Sequence, residues 1–383
     1  MNRKVLLSTD IGSDIDDALS LQTMLTSGID LRAICTVNGD VLSRAFIAKQ
    51  IVDLARGDID ILMGQSNPLG GDKKPYYHYE DCFVDSRFVN EKESKRDIVF
   101  VDPEKIDIKK KGLEYLAEIL SREKHTVFCM APLTDIAKLI QKYPKVISNI
   151  ERLYFMGCGL DEERGGHNVR FDVPSAQIVL SSEIPIVVIP GDLCQRYQMP
   201  SYQIEQLRSP SGIYVAKMAK GFIGIKTAHT FAKERIAELI EQLAKMRIGP
   251  KSSSLNRKQI EIGFARKKRL ITNLDDAIYA AFDPEKYFKQ YQALITHLKN
   301  PDFNYSRGPA ISSIMEMAIP KNLSVSDVYV PYCFLNPDKI KTKKVRISIN
   351  QEGHSKIEKG DKHLFVTDLD FNDFRKFIRE NLI

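Results

Sequence analysis

Residues 7–19, LSTDIGSDIDDAL, join a short apolar run at 4–8 to a segment with helical spacing at 15–26. From Ile15 onward apolar residues recur three and four positions apart, and Gly28 ends this pattern, so we predict a strand followed by a helix. Between them the chain is polar and carries four aspartates within eight positions. A strand, an acidic loop and a helix in this order are typical of the first unit of an α/β sheet.

The alternation of short apolar runs and helical segments continues through most of the chain. Further strands are predicted at 31–37, 59–63, 98–101, 126–130, 152–156, 184–189, 328–334, 343–349 and 362–366, and further helices at 42–55, 110–120, 133–141, 230–245 and 372–381. Runs that are apolar on both faces suit a parallel sheet covered by helices on both sides. We therefore predict an α/β fold with a doubly wound, mainly parallel sheet, in a single domain over 1–383 with a helical insertion at about 200–282.

The charge pattern argues against a nucleic-acid partner. The net charge of +6 is the small difference between 56 basic and 50 acidic residues. The basic runs at 109–111, 266–269 and 341–346 are short, scattered and not interleaved with stacking aromatics. A nucleic-acid groove needs clustered positive charge, so we interpret these runs as solvated faces.

The sequence also argues against a membrane-spanning protein and against a fold held together by disulfides. The N-terminal apolar run is too short for a signal peptide, and no apolar run approaches the roughly 20 residues of a membrane span. The six cysteines lie far apart, without a CxxC pair. Most of them sit in apolar runs, where a thiol behaves as a small buried hydrophobe. We expect a reduced, cytoplasmic protein with no membrane partner.

The four aspartates of the first loop, Asp10, Asp14, Asp16 and Asp17, allow two interpretations. One is helix capping, because an aspartate at the N-cap and acids in the first turn offset the helix dipole. Capping needs only one or two acids, however, and four crowded carboxylates repel one another unless a cation compensates their charge. Hard cations such as Ca²⁺ and Mg²⁺ bind oxygen ligands, and the spacing is not that of an EF-hand. The cluster therefore favours a metal site over capping alone.

Residues 8–19 resemble the N-terminal signature of the inosine–uridine-preferring nucleoside hydrolases, Asp-Thr-Asp-Ile-Gly-x-Asp-x-Asp-Asp-Ala-Leu, and differ from it at Ser8. Segments 33–40, 131–137, 155–159, 168–176, 191–194 and 274–284 are similar to later motifs of that family, in the same order. The resemblance implies a hydrolase that cleaves the N-glycosidic bond of a ribonucleoside or modified nucleoside with a calcium-bound water. It also implies a homo-oligomer, since related enzymes are usually oligomers.

The resemblance assigns a set of calcium ligands. Asp10 matches the family residue that binds Ca²⁺ and takes the proton from the water, which makes it the predicted catalytic base. Asp17, the backbone carbonyl of Met130 and Asp276 match the other protein ligands, with Asp275 as the alternative to Asp276. The chemistry is consistent, because a divalent cation lowers the pKa of its bound water and a nearby carboxylate can remove the proton.

The resemblance also assigns substrate contacts. Asp16 and Asn168 match residues that hold the ribose hydroxyls, and Asp40 occupies another polar position of the sugar pocket. Carboxylates around the sugar would also stabilise the positive charge that develops on it as the bond breaks. His78 and His229 are candidates to contact or protonate the leaving base.

Three departures from the family pattern support a second hypothesis. Ser8 replaces an aspartate, Gly166 stands where many members have a glutamate that contacts the ribose 5′-hydroxyl, and Asp275 stands where some have a histidine that assists the leaving base. The alternative is a catalytically impaired module of the same fold that still binds metal and ribose. A third hypothesis, an aspartate-based phosphohydrolase, is disfavoured by the Ile-Gly pair that follows Asp10.

Overall fold

The computed structural model describes residues 3–70, 108–109, 111–159, 166–232 and 322–383, with residues 220–221 and 224–232 described by their helical backbone alone. The chain divides into two compact units. The larger comprises Met1–Ser86, Asn90–Val215 and Asn322–Ile383 and holds nearly all of the described residues. The second comprises Arg87–Val89 and Ala216–Lys321, of which residues 216–232 are described. The single domain with an insertion at 200–282 stays a prediction, because most of that insertion lies outside the described residues.

The described residues contain twelve strands: β1 Lys4–Thr9, β2 Asp30–Thr36, β3 Asp60–Met63, β4 Ile108–Lys109, β5 His125–Cys129, β6 Ile150–Met156, β7 Ile186–Ile189, β8 Met199–Pro200, β9 Asn322–Leu323, β10 Ile340–Ile349, β11 Ser355–Lys359 and β12 His363–Leu369. They contain ten α-helices: α1 Asp16–Thr26, α2 Val41–Leu54, α3 Gly112–Arg122, α4 Thr134–Lys142, α5 His167–Phe171, α6 Val173–Ser181, α7 Gly191–Cys194, α8 Pro210–Ala232, α9 Tyr329–Leu335 and α10 Phe371–Asn381. Within these residues the predicted strand–helix alternation is confirmed, except for the predicted strand at 328–334. The predicted strand at 98–101 and most of the predicted helix at 230–245 lie outside them.

Ten of these strands form one sheet in the order β11-β10-β12-β7-β6-β5-β1-β2-β3-β4. From β1 the chain runs outward through β2, β3 and β4, then returns to the other side of β1 and continues through β5, β6 and β7. All of these pairs, and the pair of β7 with β12, are parallel. The topological switch point therefore lies between β1 and β5. In open α/β sheets, ligands bind at the carboxyl edge of this point.

The central strands are buried along almost their whole length. Every residue of β5 and β7 is buried, and in β1 only the first residue is partly accessible. Helix α1 packs with α2, α9 and α10, whereas α4 packs with α3 and α6, so two groups of helices cover the two faces of the sheet. This is the doubly wound arrangement that both-face apolar strands predict.

The C-terminal strands extend the sheet differently from its centre. Strand β10 pairs antiparallel with both β11 and β12, so the sheet is mainly rather than entirely parallel. Helix α10 follows β12, and the side chain of Asp370 caps it by accepting from the backbone N–H groups of Asn372 and Asp373 at 3.0 and 3.1 Å. The predicted terminal helix is thus confirmed, and the structure shows that Asp370 is its cap.

The prediction of a strand over 328–334 is wrong. This segment lies in helix α9, which follows a 3₁₀ turn at Ser326–Val328. A short run that is apolar at every position has no periodicity to distinguish a strand from a buried helix. The tertiary contacts decide, because Tyr329 and Tyr332 pack their rings against Phe374 of α10, with centroids 4.2 and 5.0 Å apart.

Two further expectations concern cysteines and membranes. Five of the six cysteines fall in the described residues, where all five are buried and free. None of the helices in the described part of the chain combines the length and the apolar character that a membrane crossing requires. Cys82 lies outside these residues.

Candidate functional site

The acidic loop links β1 to α1 at the carboxyl edge of the sheet. Strand β1 ends at Thr9 and α1 begins at Asp16, and Gly12 lies between them with φ of 104°, a conformation that favours glycine. The residue that precedes α1 is Ile15, which has no side-chain cap, and the Asp14 carboxylate accepts its backbone N–H at 2.6 Å. The first of the two interpretations is therefore met only in part: no aspartate is the N-cap of α1, but Asp16 and Asp17 lie in its first turn, where their charges offset the helix dipole.

Three carboxylates converge at the start of α1. One oxygen each from Asp16, Asp17 and Asp327 lies within 4.8 Å of the others. Asp17 and Asp327 are buried, with 4% and 3% of their surfaces exposed, and Asp16 is half-buried. Such a set of oxygen donors is suited to a hard divalent cation.

Burial and neighbouring negative charges raise the pKa of Asp17 and of Asp327 in this cluster. Burial raises the pKa of Asp17 well above its usual value, and the charges of Asp10 and Asp16 raise it further. The hydroxyl of Thr9, which donates to Asp17, and the charge of Arg44 oppose this rise. The pKa of Asp327 is raised in the same way, first by burial and then by the charges of the neighbouring aspartates. A bound cation would relieve this repulsion, so the cluster fits a metal site.

Asp10 lies beside this cluster. It is buried, with 6% of its surface exposed, and the amide of Asn38 donates to its carboxylate across 3.5 Å. Asn38 follows β2 in the left-handed region, with φ of 72°, and its backbone N–H donates to the carbonyl of Gln65 at 2.7 Å. Asparagine tolerates this conformation better than most residues. The ends of β1 and β2 therefore meet at the Asp10 carboxylate.

Met130 and Asn168 meet at the ends of β5 and β6. The side-chain amide of Asn168 donates to the backbone carbonyls of Met130 and Met156, each at 3.0 Å. The Met130 backbone N–H donates to the Ser8 carbonyl at 3.0 Å, which ties this position to β1. A carbonyl oxygen has two lone pairs, so the Met130 oxygen can still bind a cation while it accepts from Asn168.

Other predicted site residues are placed differently or are not described. Asp40 is the N-cap of α2 and accepts from the backbone N–H groups of Leu42 and Ser43 at 3.1 and 3.0 Å, so its carboxylate already holds that helix. Its contact with a sugar stays a prediction. The side chain of His229, on α8, and the residues His78, Asp275 and Asp276 lie outside the described part of the chain, and their roles also stay predictions.

Asp327 is the functional candidate that sequence reasoning missed. It lies in the 3₁₀ turn before α9, and the hydroxyl of Ser20 on α1 donates to its carbonyl at 2.9 Å. The hydroxyl of Ser324 donates to the Asp16 carboxylate at 3.3 Å, which binds the same turn to the cluster. The sequence pattern that could have revealed it is an aspartate shortly before an apolar helix. This pattern is not recognisable when 328–334 is predicted to be a strand.

A second buried carboxylate, Asp135, supports the loop that follows β3. It is fully buried at the start of α4, accepts the backbone N–H of Gln65 at 2.8 Å and accepts from the Cys35 thiol at 3.3 Å. Burial raises its pKa to about 6, and the bonds to Gln65 and Cys35 only partly oppose the rise. The Gln65 carbonyl in turn accepts from the backbone N–H of Asn38. Asp135 is thus linked through Gln65 to Asn38, whose side chain contacts Asp10.

Asp135→Asn is expected to stabilise the protein at pH 8. A carboxyl whose pKa is raised on folding binds its proton more tightly in the folded state, so its contribution to stability is lost as the pH rises from about 4 to about 6. A rise from 3.8 to about 6 corresponds to at most about 3 kcal/mol. Urea unfolding from pH 4 to pH 8 should show a gain for the variant that grows over this range. The exposed control Asp361→Asn should show no such change, and a pH-independent difference for Asp135→Asn would contradict the prediction.

Comparison with known proteins places these features in one family. The sequence model of the family described as Inosine-uridine preferring nucleoside hydrolase matches residues 5–376. A protein of Schizosaccharomyces pombe is 26% identical over 217 residues, which cover 54% of this chain and 66% of that protein. The non-specific ribonucleoside hydrolase RihC of Salmonella paratyphi B is 28% identical over 193 residues, which cover 48% of this chain and 59% of RihC. The chain thus matches less than two thirds of the length of these curated relatives.

The likeness extends to the fold. The crystal structure of the inosine-uridine preferring nucleoside hydrolase from Bacillus anthracis matches with a TM-score of 0.57 and 16% sequence identity, covering 99% of both chains. At this identity the likeness shows a common fold rather than a common substrate. Because the family pattern extends over almost the whole sequence and the fold is shared, the chain belongs to the inosine-uridine preferring nucleoside hydrolase family.

Proposed function

We propose that the protein is a Ca²⁺-dependent nucleoside N-ribohydrolase, which hydrolyses the bond between ribose C1′ and a nitrogen of the base. The observation that carries the proposal is the convergence of the Asp16, Asp17 and Asp327 carboxylates at the start of α1, with Asp10 beside them. Membership of the family supports the class of reaction, and the acidic cluster supports the need for a cation.

The cation would be held by Asp10, Asp17 and Asp327, with the Met130 carbonyl as a further ligand. Carboxylate and carbonyl oxygens suit Ca²⁺ and Mg²⁺ better than the softer transition metals. Ca²⁺ accepts six to eight ligands in a flexible geometry, which suits a site assembled from separate loops better than the strict octahedron of Mg²⁺. When bound, the cation supplies a water molecule of lowered pKa.

The side chains of the site would divide the remaining work. Asp10 accepts a proton from the attacking water. The oxygen of that water joins ribose C1′ while the bond from C1′ to the base nitrogen breaks. Asp16, which is half-buried, and Asn168 accept hydrogen bonds from the ribose hydroxyls. The negative charges around the sugar stabilise the positive charge that develops on it during bond breaking. The base takes up a proton as it leaves, and His78 and His229 are the proposed donors of that proton.

One observation favours the second candidate function, a module that binds metal and ribose without turnover. The residue before Asp327 is Ser326, which is 3% exposed and shares a hydrogen bond of 2.8 Å with Ser324. A serine hydroxyl is a poor acid at neutral pH. Ser326 therefore cannot protonate a leaving base in the way that the histidine of some family members does. His78 and His229 are the proposed alternatives for that role.

A nucleoside panel separates the two functions. The full-length protein is incubated with purine, pyrimidine and modified ribonucleosides, with Ca²⁺ or with excess chelator, and free ribose is measured. The hydrolase predicts ribose release from at least one nucleoside that stops with chelator and returns with Ca²⁺. Thermal stabilisation by Ca²⁺ and ribose without any release would favour the binding module. Release that is indifferent to chelator would contradict the role of the cation.

The cell compartment and the oligomeric state are also proposals. We infer a cytoplasmic location from the buried free cysteines, which suit a reducing compartment. A homo-oligomer is inferred from the family resemblance alone.

A further inference from the structure

Arg44 is a buried cation next to the acidic site. It lies in the first turn of α2, and none of its surface is exposed. Burying a guanidinium is costly unless its N–H groups find acceptors. Its partners therefore indicate what the residue is for.

The guanidinium of Arg44 bonds to three backbone carbonyls and one hydroxyl. Nη1 donates to the carbonyl of Asp10 and, at 2.8 Å, to that of Ile11. Nε donates to the Asn38 carbonyl at 2.6 Å, and Nη2 donates to the Ser13 hydroxyl at 2.7 Å. One side chain thus joins the loop after β1 to the turn after β2. A lysine could not replace it, because the bonds diverge in the fixed fork of a guanidinium.

We propose that Arg44 is a positioning residue of this site, which holds the backbone of Asp10, Ile11 and Asn38 in the arrangement that lets Asp10 and Asp17 act on one cation. Fixing the backbone of Asp10 fixes the point from which its carboxylate projects. The bond to Asn38 fixes the residue whose amide meets that carboxylate. The inference deepens the proposed function and rests on it.

The alternative is that Arg44 serves only as a countercharge to the aspartates. The two ideas predict changes of opposite sign. A positive charge beside a cation site repels the cation, so its removal should tighten Ca²⁺ binding if charge alone matters. If Arg44 positions the loop, its removal should weaken Ca²⁺ binding although a repulsive charge has been removed.

Calorimetric titration of the chelator-treated full-length protein with Ca²⁺ tests this difference. Arg44→Met is expected to raise the Kd for Ca²⁺ by about 10- to 100-fold, which is typical when groups that orient metal ligands are lost. Arg44→Lys keeps the charge but loses the fork, and its Kd should rise as well. Lys49→Met removes a positive charge from the same helix, where Lys49 pairs with Asp53, and should leave the Kd unchanged.

Folding and turnover are followed separately. Circular dichroism and a titration well below the unfolding temperature restrict the comparison to folded protein, where a merely structural role would leave the Kd unchanged.

If neither variant of Arg44 folds, Ser13→Ala removes one of the hydrogen-bond partners of Arg44. The Kd of Ser13→Ala for Ca²⁺ should rise about threefold, as the loss of one hydrogen bond implies. In ribose release at saturating Ca²⁺, Arg44→Lys should lower kcat more than it changes KM, because Arg44 holds Asp10.

The outcomes separate this inference from the proposed function. Unchanged or tighter Ca²⁺ binding in both variants of Arg44, or in Ser13→Ala where those do not fold, overturns the positioning role. A wild-type protein that binds Ca²⁺ but releases no ribose overturns the hydrolase and leaves the Ca²⁺ titration to decide on Arg44. A wild-type protein that does not bind Ca²⁺ overturns both.

Discussion

Asp327→Asn is expected to weaken Ca²⁺ binding by about 100-fold while making the metal-free protein more stable. The variant removes one of three converging carboxylates, so a cation loses a charged ligand. Without metal the same carboxylate is a liability, because burial and its acidic neighbours raise its pKa and make its charged form costly at pH 8. The rise in unfolding temperature on adding Ca²⁺ should therefore be much smaller for the variant than for the wild type.

The size of the effect follows from linkage. At a Ca²⁺ concentration of 100 times the wild-type Kd, binding stabilises the folded state by about 2.7 kcal/mol. A 100-fold weaker site at the same concentration gains only about 0.4 kcal/mol. Differential scanning calorimetry measures both states, with the exposed Asp361→Asn as the control. Equal stabilisation of Asp327→Asn and wild type by Ca²⁺ would remove Asp327 from the metal site.

The central sheet could be predicted because its signals are local. In β1 and β5 nearly every residue is buried, and such strands are visible as short apolar runs bounded by polar loops. Helix α1 follows β1 within a few residues, so the acidic loop and its place at the carboxyl edge could also be predicted. The topological switch point then brings Asp10 and Met130 to one place.

The rest of the site depends on contacts across long stretches of chain. Asp327 lies more than 300 positions from Asp16 and Asp17, and no local pattern joins them. It precedes a helix whose apolar side chains also suit a strand, so the wrong prediction for 328–334 concealed it. An aspartate before a helix is ordinarily a cap.

Arg44 and Asp40 show the same limit within one short segment. On sequence, Asp40 is a polar residue at a motif position and Arg44 is an ordinary cation in a helix. In the structure Asp40 caps α2, whereas Arg44 is fully buried and bonds to the loop of Asp10. Burial of a charged side chain cannot be deduced from its own neighbours in sequence, because the acceptors that compensate for it come from another loop.

Asp10→Asn is expected to abolish ribose release while weakening Ca²⁺ binding less than Asp327→Asn does, because the asparagine amide oxygen can still serve as an uncharged ligand. Asp10 lies beside the three converging carboxylates rather than among them, and the Asn38 amide donates to it. An asparagine fills the same space but cannot accept a proton from water at neutral pH. General-base catalysis contributes about 100- to 10,000-fold to a rate, so kcat should fall by at least about 100-fold.

Excess Ca²⁺ separates the roles of Asp10 and Asp327. If Asp327 acts through the cation, a high Ca²⁺ concentration should restore ribose release to Asp327→Asn, because the weakened site is then filled. The same concentration should not restore Asp10→Asn, whose site is filled but lacks its base. Recovery of Asp10→Asn at high Ca²⁺ would mean that Asp10 serves as a ligand alone. The proton of the attacking water would then have to pass to another carboxylate, for which the half-buried Asp16 is a candidate.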